Sequence, residues 1–367
     1  MMERTPLHEQ HRLAGAKLID FAGWDMPIQY SGVIDEYQTV RNRVGLFDVS
    51  HMGRLGISGT GAGAFLQRMT TNDVMKLAVG QAQYSMVCNG HGGIKDDIFV
   101  YRTGLHDYLL CVNASNRIKI LDWLRQHPGN DEGWTIEDRT AAVAQIAIQG
   151  PLSTTVLGSL MEDDLGTLKL HHFRESRVAS LGCLVARTGY TGEPGYEINV
   201  PSDEAPVLWN RLLERGRAQG IKPAGLGARD LLRLDMGYLL YGNDIDEETT
   251  PLEAGAEWTI SWNKGDFVGS QALLRQRQTG PTRHLVGLEL LEKAVPRHGC
   301  KIVSKRTSEP IGEVTSGNLS PLLQKGIGLG YVPFDYKEAG TEILIDIRGK
   351  LVPARIVKPP FYRKPKR

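Results

Sequence analysis

Closely spaced cysteines are missing from this chain of 367 residues. Its four cysteines, Cys88, Cys111, Cys183 and Cys300, are far apart in the sequence and form no Cys-x-x-Cys pair. Disulfide-rich secreted domains and cysteine-based metal sites both require closer spacing, so we expect neither. This cysteine usage favours a reducing, cytosolic compartment.

Long apolar runs and an excess of one charge are also missing. No apolar run approaches the roughly 20 residues that a membrane-spanning helix needs, and the N-terminal stretch has no apolar segment typical of a signal peptide. The formal net charge is +1, from 43 Lys and Arg against 42 Asp and Glu, so no global field attracts nucleic acid or a membrane surface. We therefore expect a soluble, globular, cytoplasmic protein.

The pattern of predicted secondary structure changes near residue 280. Up to that point strand-like and helix-like segments alternate, which predicts an α+β region over residues 1–280. Short strand-like segments separated by Gly, Pro and charged turns then predict an antiparallel barrel or sandwich over residues 281–367. The polar segment RQRQTGPTR (residues 275–283) is the predicted linker, because it contains Gly-Pro.

The stretch NGHGGIKDDIFVY (residues 89–101) places two aspartates at the start of a predicted strand. Successive side chains of a strand point to opposite faces, so Asp96 would share its face with aliphatic residues only. A carboxylate on an apolar face is costly unless it is hydrogen-bonded or protonated, and burial raises its pKa. Asp96 is therefore a candidate functional group, whereas Asp97 would share its face with Lys95 and form an ordinary ion pair.

Spacing alone leaves two alternatives for Asp96 open. Its side chain could cap the turn at Gly92 and Gly93 and face water. A β-bulge after these glycines would also exchange the two faces of the strand.

A second candidate region is RTGYTGEPGYEINV (residues 187–200). Its three glycines predict a tightly folded loop, in which Tyr190 and Tyr196 can line a pocket. Glu197 falls on the opposite strand face from Tyr196. It is either solvated or able to accept two parallel N–H groups from a planar heterocycle.

A third region, GLGARDLLRLD (residues 225–235), predicts a helix that ends at Gly237. Arg229 and Arg233 lie four residues apart on one face of this helix. They form surface pairs with neighbouring aspartates, or one of them reaches a ligand that bears a carboxylate. The histidines show no spacing that matches a metal site, and we expect no bound metal.

Six blocks spread over nearly the whole chain carry a resemblance to a known family. They are, in order, TPLHEQHRLAGAKLIDFAGWDMPIQYSGVIDEYQTVRNRVGLFDVSHMG, QYSMVCNGHGGIKDDIFVY, LCVNASN, GYTGEPGYEI, GLGARDLLRLDMGYLLYGNDIDEETTPLEAG and VTSGNLSP. Together they resemble the glycine cleavage T-proteins, which are aminomethyltransferases. The resemblance implies a three-domain, cloverleaf-like α+β fold with a C-terminal antiparallel β-barrel and a cavity for tetrahydrofolate. It also implies the lipoyl-carrying H-protein as partner, with ammonia and 5,10-methylenetetrahydrofolate as products.

The same resemblance implies roles for individual residues. Asp96 matches the family's key carboxylate, which orients folate and assists proton transfer. Glu197 matches the carboxylate that binds the pterin edge, and Arg229 matches the arginine of the folate site. The remaining matched positions are Met52, Tyr84, Asn113, Tyr190 and Tyr238 around the pocket, and Arg363 at the glutamyl end of folate.

Other functions of the same superfamily stay open. One is a folate-dependent demethylase, although such proteins often come fused to a flavin or corrinoid partner, for which this chain has no room. Another is a folate-binding accessory protein of iron–sulfur cluster maintenance. Relatives of that type usually carry KGCYxGQE, whereas GYTGEPGYE stands here without the cysteine. An intact Asp96 argues against a regulator without catalytic activity.

Overall fold

The computed structural model describes residues 2–127 and 133–363, which divide into two compact units. The first unit comprises the described residues up to 85 and residues 96–230. The second comprises residues 86–95 and the described residues from 231 onward. The boundary expected between residues 280 and 281 stays a prediction. Among the described residues, no helix is both long enough and apolar enough to cross a membrane.

Helices and strands alternate along the described residues of the first region of the chain, and strands predominate after it. The α-helices are α1 (His8–Leu13), α2 (Val33–Asn42), α3 (Ala62–Met69), α4 (Arg117–Arg125), α5 (Ser153–Gly158), α6 (Ala205–Arg215), α7 (Leu226–Met236) and α8 (Ser270–Thr279). Short 3₁₀ helices span Val74–Lys76, Ala114–Asn116, Leu165–Thr167, Arg217–Gln219, Glu257–Thr259 and Phe334–Tyr336.

The strands are β1 (Lys17–Phe21), β2 (Trp24–Gln29), β3 (Gly45–Asp48), β4 (Gly53–Ser58), β5 (Ala82–Cys88), β6 (Ile94–Arg102), β7 (Asp107–Val112), β8 (Thr135–Asp138), β9 (Val143–Gln149), β10 (Phe173–Val178), β11 (Leu181–Ala186), β12 (Gly195–Pro201), β13 (Lys222–Pro223), β14 (Arg283–Leu290), β15 (Lys301–Ser304), β16 (Pro310–Ser320), β17 (Lys325–Pro333), β18 (Glu342–Ile347) and β19 (Lys350–Val357).

A six-stranded sheet in the order β10-β11-β12-β9-β3-β13 forms one layer of the first unit. The side chains of β12 alternate as a half-covered strand requires: Tyr196 and Ile198 are buried, and Glu197 between them is partly exposed. The buried face packs with residues of α5 and α6, including Leu208 and Trp209, in one apolar core. Glu197 therefore projects from the face opposite this core.

A five-stranded sheet in the order β5-β6-β7-β4-β8 carries the two adjacent aspartates on β6. Strands β6 and β7 are antiparallel, with Phe99 opposite Cys111. Immediately after β7, the chain turns into the 3₁₀ helix Ala114–Asn116. This turn brings the residues after β7 beside the start of β6.

The second unit contains a closed antiparallel barrel in the order β14-β17-β16-β15-β18-β19. Every second residue of β14, namely Val286, Leu288 and Leu290, is buried in the barrel core. The adjacent Leu285 is buried too, in a separate cluster with Ile327 and Leu329, so both faces of β14 are covered over this part of the strand. The predicted C-terminal antiparallel barrel is confirmed.

Two expectations about helix ends have different outcomes. Helix α7 ends at Met236, and Gly237 follows with a φ of 68°, so the predicted stop at this glycine is confirmed. The linker predicted over residues 275–283 is wrong in its first half, because α8 continues to Thr279. The polar side chains of residues 275–279 lie on the exposed face of α8. Composition alone cannot distinguish such a helix face from a linker.

Substitutions at two glycines of the second unit can measure the cost of backbone strain separately from the cost of steric overlap. A Cβ at Gly237 would lie 2.4 Å from Cβ of Pro359, whereas one at Gly242, where φ is 86°, would meet nothing within 4 Å. We expect Gly242→Ala to lower the free energy of unfolding by about 1 kcal/mol, from the left-handed backbone alone. Gly237→Ala adds an overlap and should lose roughly 2–4 kcal/mol in total. Urea unfolding measures both values, and equal losses would contradict the predicted overlap.

Candidate active site

The glycine turn before β6 is capped by Asn89. Its Oδ1 accepts hydrogen bonds from the backbone N–H of His91 at 2.9 Å and of Gly93 at 3.0 Å. The alternative in which Asp96 caps this turn and faces water is therefore wrong. Asn89 caps the turn instead, through the side-chain-to-backbone hydrogen bonds typical of an Asx turn.

Asp96 is fully buried, with 0% of its surface exposed. Its Oδ2 accepts the backbone N–H of Asn113 at 3.0 Å, and its Oδ1 accepts the side-chain amides of Asn113 at 2.8 Å and Asn116 at 2.6 Å. The two asparagines, three residues apart, reach the same carboxylate because a 3₁₀ turn aligns such positions. The predicted burial of Asp96 is confirmed. The sequence pattern does not predict its hydrogen bond with Asn116.

Opposing effects act on the proton affinity of Asp96. Burial and the neighbouring carboxylate of Asp97 raise the pKa of Asp96 to about 8, although the amides of Asn113 and Asn116 oppose this shift. Both causes of the increase disfavour a second negative charge in an enclosed place. A carboxyl group with this pKa can hold or release a proton near neutral pH, which is the range that acid–base catalysis uses.

Asp97 faces a different, partly exposed environment. Its Oδ2 accepts the hydroxyl of Tyr84 at 2.8 Å, and its Oδ1 accepts the side-chain amide of Asn113 at 2.8 Å. The Asn113 amide thus bridges both aspartates. Lys95, expected beside Asp97, donates to Glu247 at 2.8 Å. The spacing in the sequence contained no sign of the contacts with Tyr84 and Asn113.

Tyr84 remains a hydrogen-bond donor over the working pH range. Burial and the carboxylate of Asp97 raise the pKa of its hydroxyl well above the usual value, and Tyr190 and Asp96 contribute to the same direction. The phenol proton therefore stays on Tyr84 and points to Asp97. One carboxylate oxygen of Asp97 is consequently oriented by a fixed donor.

Residues 187–194, between β11 and β12, form the predicted tight loop, which we call the Tyr190 loop. Gln149 of β9 fills the space above it: a Cβ at Gly189 would lie 2.2 Å from Oε1 of Gln149, and one at Gly195 would lie 2.3 Å from its Nε2. A side chain at either position would displace the Gln149 amide, which is hydrogen-bonded to Thr188 and Thr191, so both positions favour glycine. The loop presents Tyr190, whose ring centroid lies 4.7 Å from the guanidinium carbon of Arg229.

Arg229 also acts on the electrostatics of His51. Burial, and secondly the positive charge of Arg229, lower the pKa of His51 to about 3. His51 is therefore a neutral imidazole, and its Nδ1 has no hydrogen-bond partner among the described residues. It precedes Met52, so the loop after β3 contributes to the same region as Arg229.

Glu197, on strand β12 of the six-stranded sheet, contacts the Tyr190 loop. Its Oε2 accepts the hydroxyl of Thr188 at 2.5 Å. Burial and then Glu197 raise the pKa of the Cys111 thiol to about 12, and Asp96 adds to the same direction. Burial and Glu197 likewise raise the pKa of Tyr101 well above its usual value. Glu197 and Asp96 therefore both lie close enough to Cys111 to raise the pKa of its thiol.

The structure distributes the predicted site residues over both units. Seven lie in the first unit: Met52, Tyr84, Asp96, Asn113, Tyr190, Glu197 and Arg229. Two lie in the second unit, Tyr238, which is 37% exposed, and Arg363, which is exposed.

Two expectations about neighbouring residues are wrong. Tyr196 does not line a pocket, because it is 2% exposed and its hydroxyl lies 3.0 Å from that of Thr154 in the core. Arg233 is not part of a surface pair, since its buried guanidinium donates to Asp244 at 2.8 Å. Both errors arise from partners that are distant in the sequence.

The assembled groups suit a particular chemistry. An enclosed carboxyl with a raised pKa lies beside a second, partly exposed carboxylate, and a neutral phenol orients the latter. Nearby stand a cation above an aromatic ring and a further carboxylate on a strand. Such a set can stabilise a developing positive charge, move a proton and bind a planar molecule that has donor and acceptor edges.

Comparison with known proteins identifies two matched families. Residues 7–264 match the GCVT N-terminal domain, and residues 283–363 match the glycine cleavage T-protein C-terminal barrel domain. Curated relatives named aminomethyltransferase include one from Chloroherpeton thalassium, 47% identical over 363 residues, which are 99% of each chain. Another, from Desulfitobacterium hafniense, is 45% identical over 365 residues, again 99% of each chain.

A solved structure agrees with these relatives. The crystal structure of glycine cleavage system aminomethyltransferase T from Bartonella henselae aligns with a TM-score of 0.92 at 34% identity. The alignment covers 99% of this chain and 98% of that one. The predicted α+β aminomethyltransferase fold is confirmed.

The raised pKa of Asp96 predicts a pH dependence of stability. The folded state keeps a proton that the unfolded state, with an ordinary aspartate pKa near 4, releases. The free energy of unfolding therefore falls as pH rises from about 4 to about 8. Asp96→Asn removes this titration, so the stability of the variant relative to the parent should rise by on the order of 2–4 kcal/mol from pH 5 to pH 8.

Urea unfolding at four pH values and constant ionic strength measures this difference. The exposed Asp107 supplies the control, and Asp107→Asn should leave the pH profile of the parent unchanged. Parallel profiles for the parent and Asp96→Asn would contradict a raised pKa at Asp96.

Proposed function

The chain belongs to the glycine cleavage T-protein family of aminomethyltransferases, and on this basis we propose its complete reaction. The aminomethyl carbon on the lipoyl arm of H-protein passes to tetrahydrofolate, with release of ammonia and formation of 5,10-methylenetetrahydrofolate. One carbon–nitrogen and one carbon–sulfur bond break, and two carbon–nitrogen bonds to folate form. The two folate N–H protons end on ammonia and on the lipoyl sulfur. The observation that carries the proposal is the pair of carboxylates bridged by Asn113.

The carboxylate pair meets the electrostatic demand of this reaction. A carbon bonded to both sulfur and nitrogen gains positive charge as either bond breaks, and a fixed carboxylate stabilises that charge without forming a bond. Asp97 has exposed surface and is oriented by Tyr84, so we assign it the contact with the reacting carbon. The catalytic role expected for Asp96 stays a prediction, and its enclosed position favours holding the proton beside Asp97.

Tetrahydrofolate is the co-substrate in this proposal, and the residues present suit it. One oxygen of Glu197 binds Thr188, and the other has no hydrogen-bond partner among the described residues. That oxygen can accept an N–H of the pterin edge. Arg229 and Tyr190 offer a cation and a ring face to a planar molecule. The remaining proposed contacts are Met52, Tyr84, Asn113 and Tyr238, with Arg363 at the glutamyl end.

H-protein, with its lipoyl arm, is the proposed macromolecular partner, and the cytoplasm is the proposed location. The reaction needs no metal, nucleic acid or membrane. Enclosure of the transferred carbon matters because a free iminium would react with water. Holding both reactants in one site also replaces a slow encounter with a positioned reaction.

Ammonia release from aminomethylated H-protein, with and without tetrahydrofolate, tests the proposal. We expect release that depends on both folate and this protein, together with methylenetetrahydrofolate in equal amount. Bound folate without any release would contradict the proposal, and transfer from a methylated donor would then identify a demethylase instead.

The two aspartates should differ in how their removal affects the reaction. We expect Asp97→Asn and Asp96→Asn each to lower the rate of ammonia release by ~10²–10⁴-fold, or about 3–5 kcal/mol of barrier. Folate binding should be partly kept in both. Because Asp96 holds a proton, its replacement should remove the pH dependence of the remaining rate near neutrality, whereas Asp97→Asn should keep that dependence and shift it to lower pH. Rates equal to that of the parent in both variants would contradict the assigned roles; Asp107→Asn serves as the control.

A further inference from the structure

Arg41 and Glu193 form an ion pair in the interior of the first unit. Their side chains are 3% and 0% exposed, and Nη1 of Arg41 donates to Oε1 of Glu193 at 3.0 Å. The same nitrogen donates to the backbone carbonyl of Thr191 at 2.7 Å. One guanidinium on helix α2 thereby binds two points of the Tyr190 loop, 150 residues further along the chain.

A buried ion pair of this kind is weak evidence for a contribution to stability. The cost of removing both charges from water offsets much of their attraction. A guanidinium nitrogen that donates to both a carboxylate and a carbonyl nevertheless fixes direction, because its donors lie in a rigid plane. The contact therefore suits a role in geometry more than one in stability.

Gln149 holds the same loop from the neighbouring strand β9. Its Nε2 donates to the carbonyl of Thr188 at 3.1 Å, and its Oε1 accepts the hydroxyl of Thr191 at 2.8 Å. Contacts with Arg41 and Gln149 thus bind the residues on both sides of Tyr190. The Tyr190 ring itself is partly exposed and lies against Arg229.

We infer that Arg41 is a positioning residue for folate binding. Its pairing with Glu193 holds the Tyr190 loop in one conformation, so that the Tyr190 ring and the Arg229 guanidinium form a surface that exists before the ligand arrives. A surface ordered in advance binds more tightly, because less conformational freedom is lost on binding. This inference rests on the proposed function, in which tetrahydrofolate is the ligand.

Two variants of Arg41 test the inference on the full chain. The double variant Arg41→Met with Glu193→Gln removes both charges of the pair, and Arg41→Lys keeps the positive charge but loses the planar guanidinium. Calorimetric titration with tetrahydrofolate should give a dissociation constant raised on the order of 10-fold in the double variant and less in Arg41→Lys. The rate at saturating folate should change by less than about threefold in either.

Hydrogen exchange supplies a readout that needs no activity. In the free protein, the amides of residues 187–194 should exchange faster in the double variant than in the parent. The surface pair of Lys222 and Asp35, which also involves helix α2, provides the control. Lys222→Met with Asp35→Asn should leave both the exchange of the loop and the dissociation constant unchanged.

A double-mutant cycle with Tyr190→Ala decides whether Arg41 acts through Tyr190. If it does, the substitutions Arg41→Met and Glu193→Gln together should weaken folate binding when Tyr190 is present and have almost no further effect in the Tyr190→Ala background. The same fold-change in both backgrounds, or unchanged binding in a folded variant, would overturn the inference while leaving the proposed function intact. A parent chain that does not bind tetrahydrofolate would overturn both.

Discussion

Everything in this site depends on the enclosure of one carboxylate, that of Asp96. Taking an ionised carboxylate out of water costs several kcal/mol unless donors replace its hydration. Three N–H groups from Asn113 and Asn116 do so in part, and each such bond to a charged group contributes about 1.5–3 kcal/mol. The negative charge of Asp97 beside it shifts the balance toward protonation. The result is a carboxyl group that is neither firmly ionised nor firmly neutral at physiological pH.

The scaffold keeps this balance by placing its parts on regular elements. Strand β6 holds the two aspartates, and the 3₁₀ turn after β7 holds the two asparagines at hydrogen-bond distance. The amide of Asn113 contacts both carboxylates, so a change in the charge of one aspartate affects the other through a rigid neighbour. Groups that bind ligand can then reside on the Tyr190 loop, whose conformation Gln149 and Arg41 hold.

Local patterns in the sequence predict a large part of this arrangement. Strand alternation places Asp96 in the apolar interior and Glu197 on the face opposite the core, and the turn chemistry of glycine ends α7 at Gly237. A one-dimensional period cannot specify contacts across the fold. The cap at Asn89, the second donor at Asn116 and the buried pair of Arg233 with Asp244 all depend on which distant segments meet. The resemblance to a family implies the ligand chemistry, and the structure shows that Asp96 is enclosed whereas Asp97 is partly exposed.

A carbon NMR titration of protein labelled at the aspartate carboxyl carbons tests the central claim most directly. We predict one resonance that titrates with a pKa of about 8, far above the ordinary aspartate range, and that disappears in Asp96→Asn. Asp97→Asn should lower the pKa of that resonance, because it removes the neighbouring charge. If every aspartate resonance titrates below about pH 5, the buried carboxylate is ionised under working conditions and the proposed proton-holding role of Asp96 is wrong.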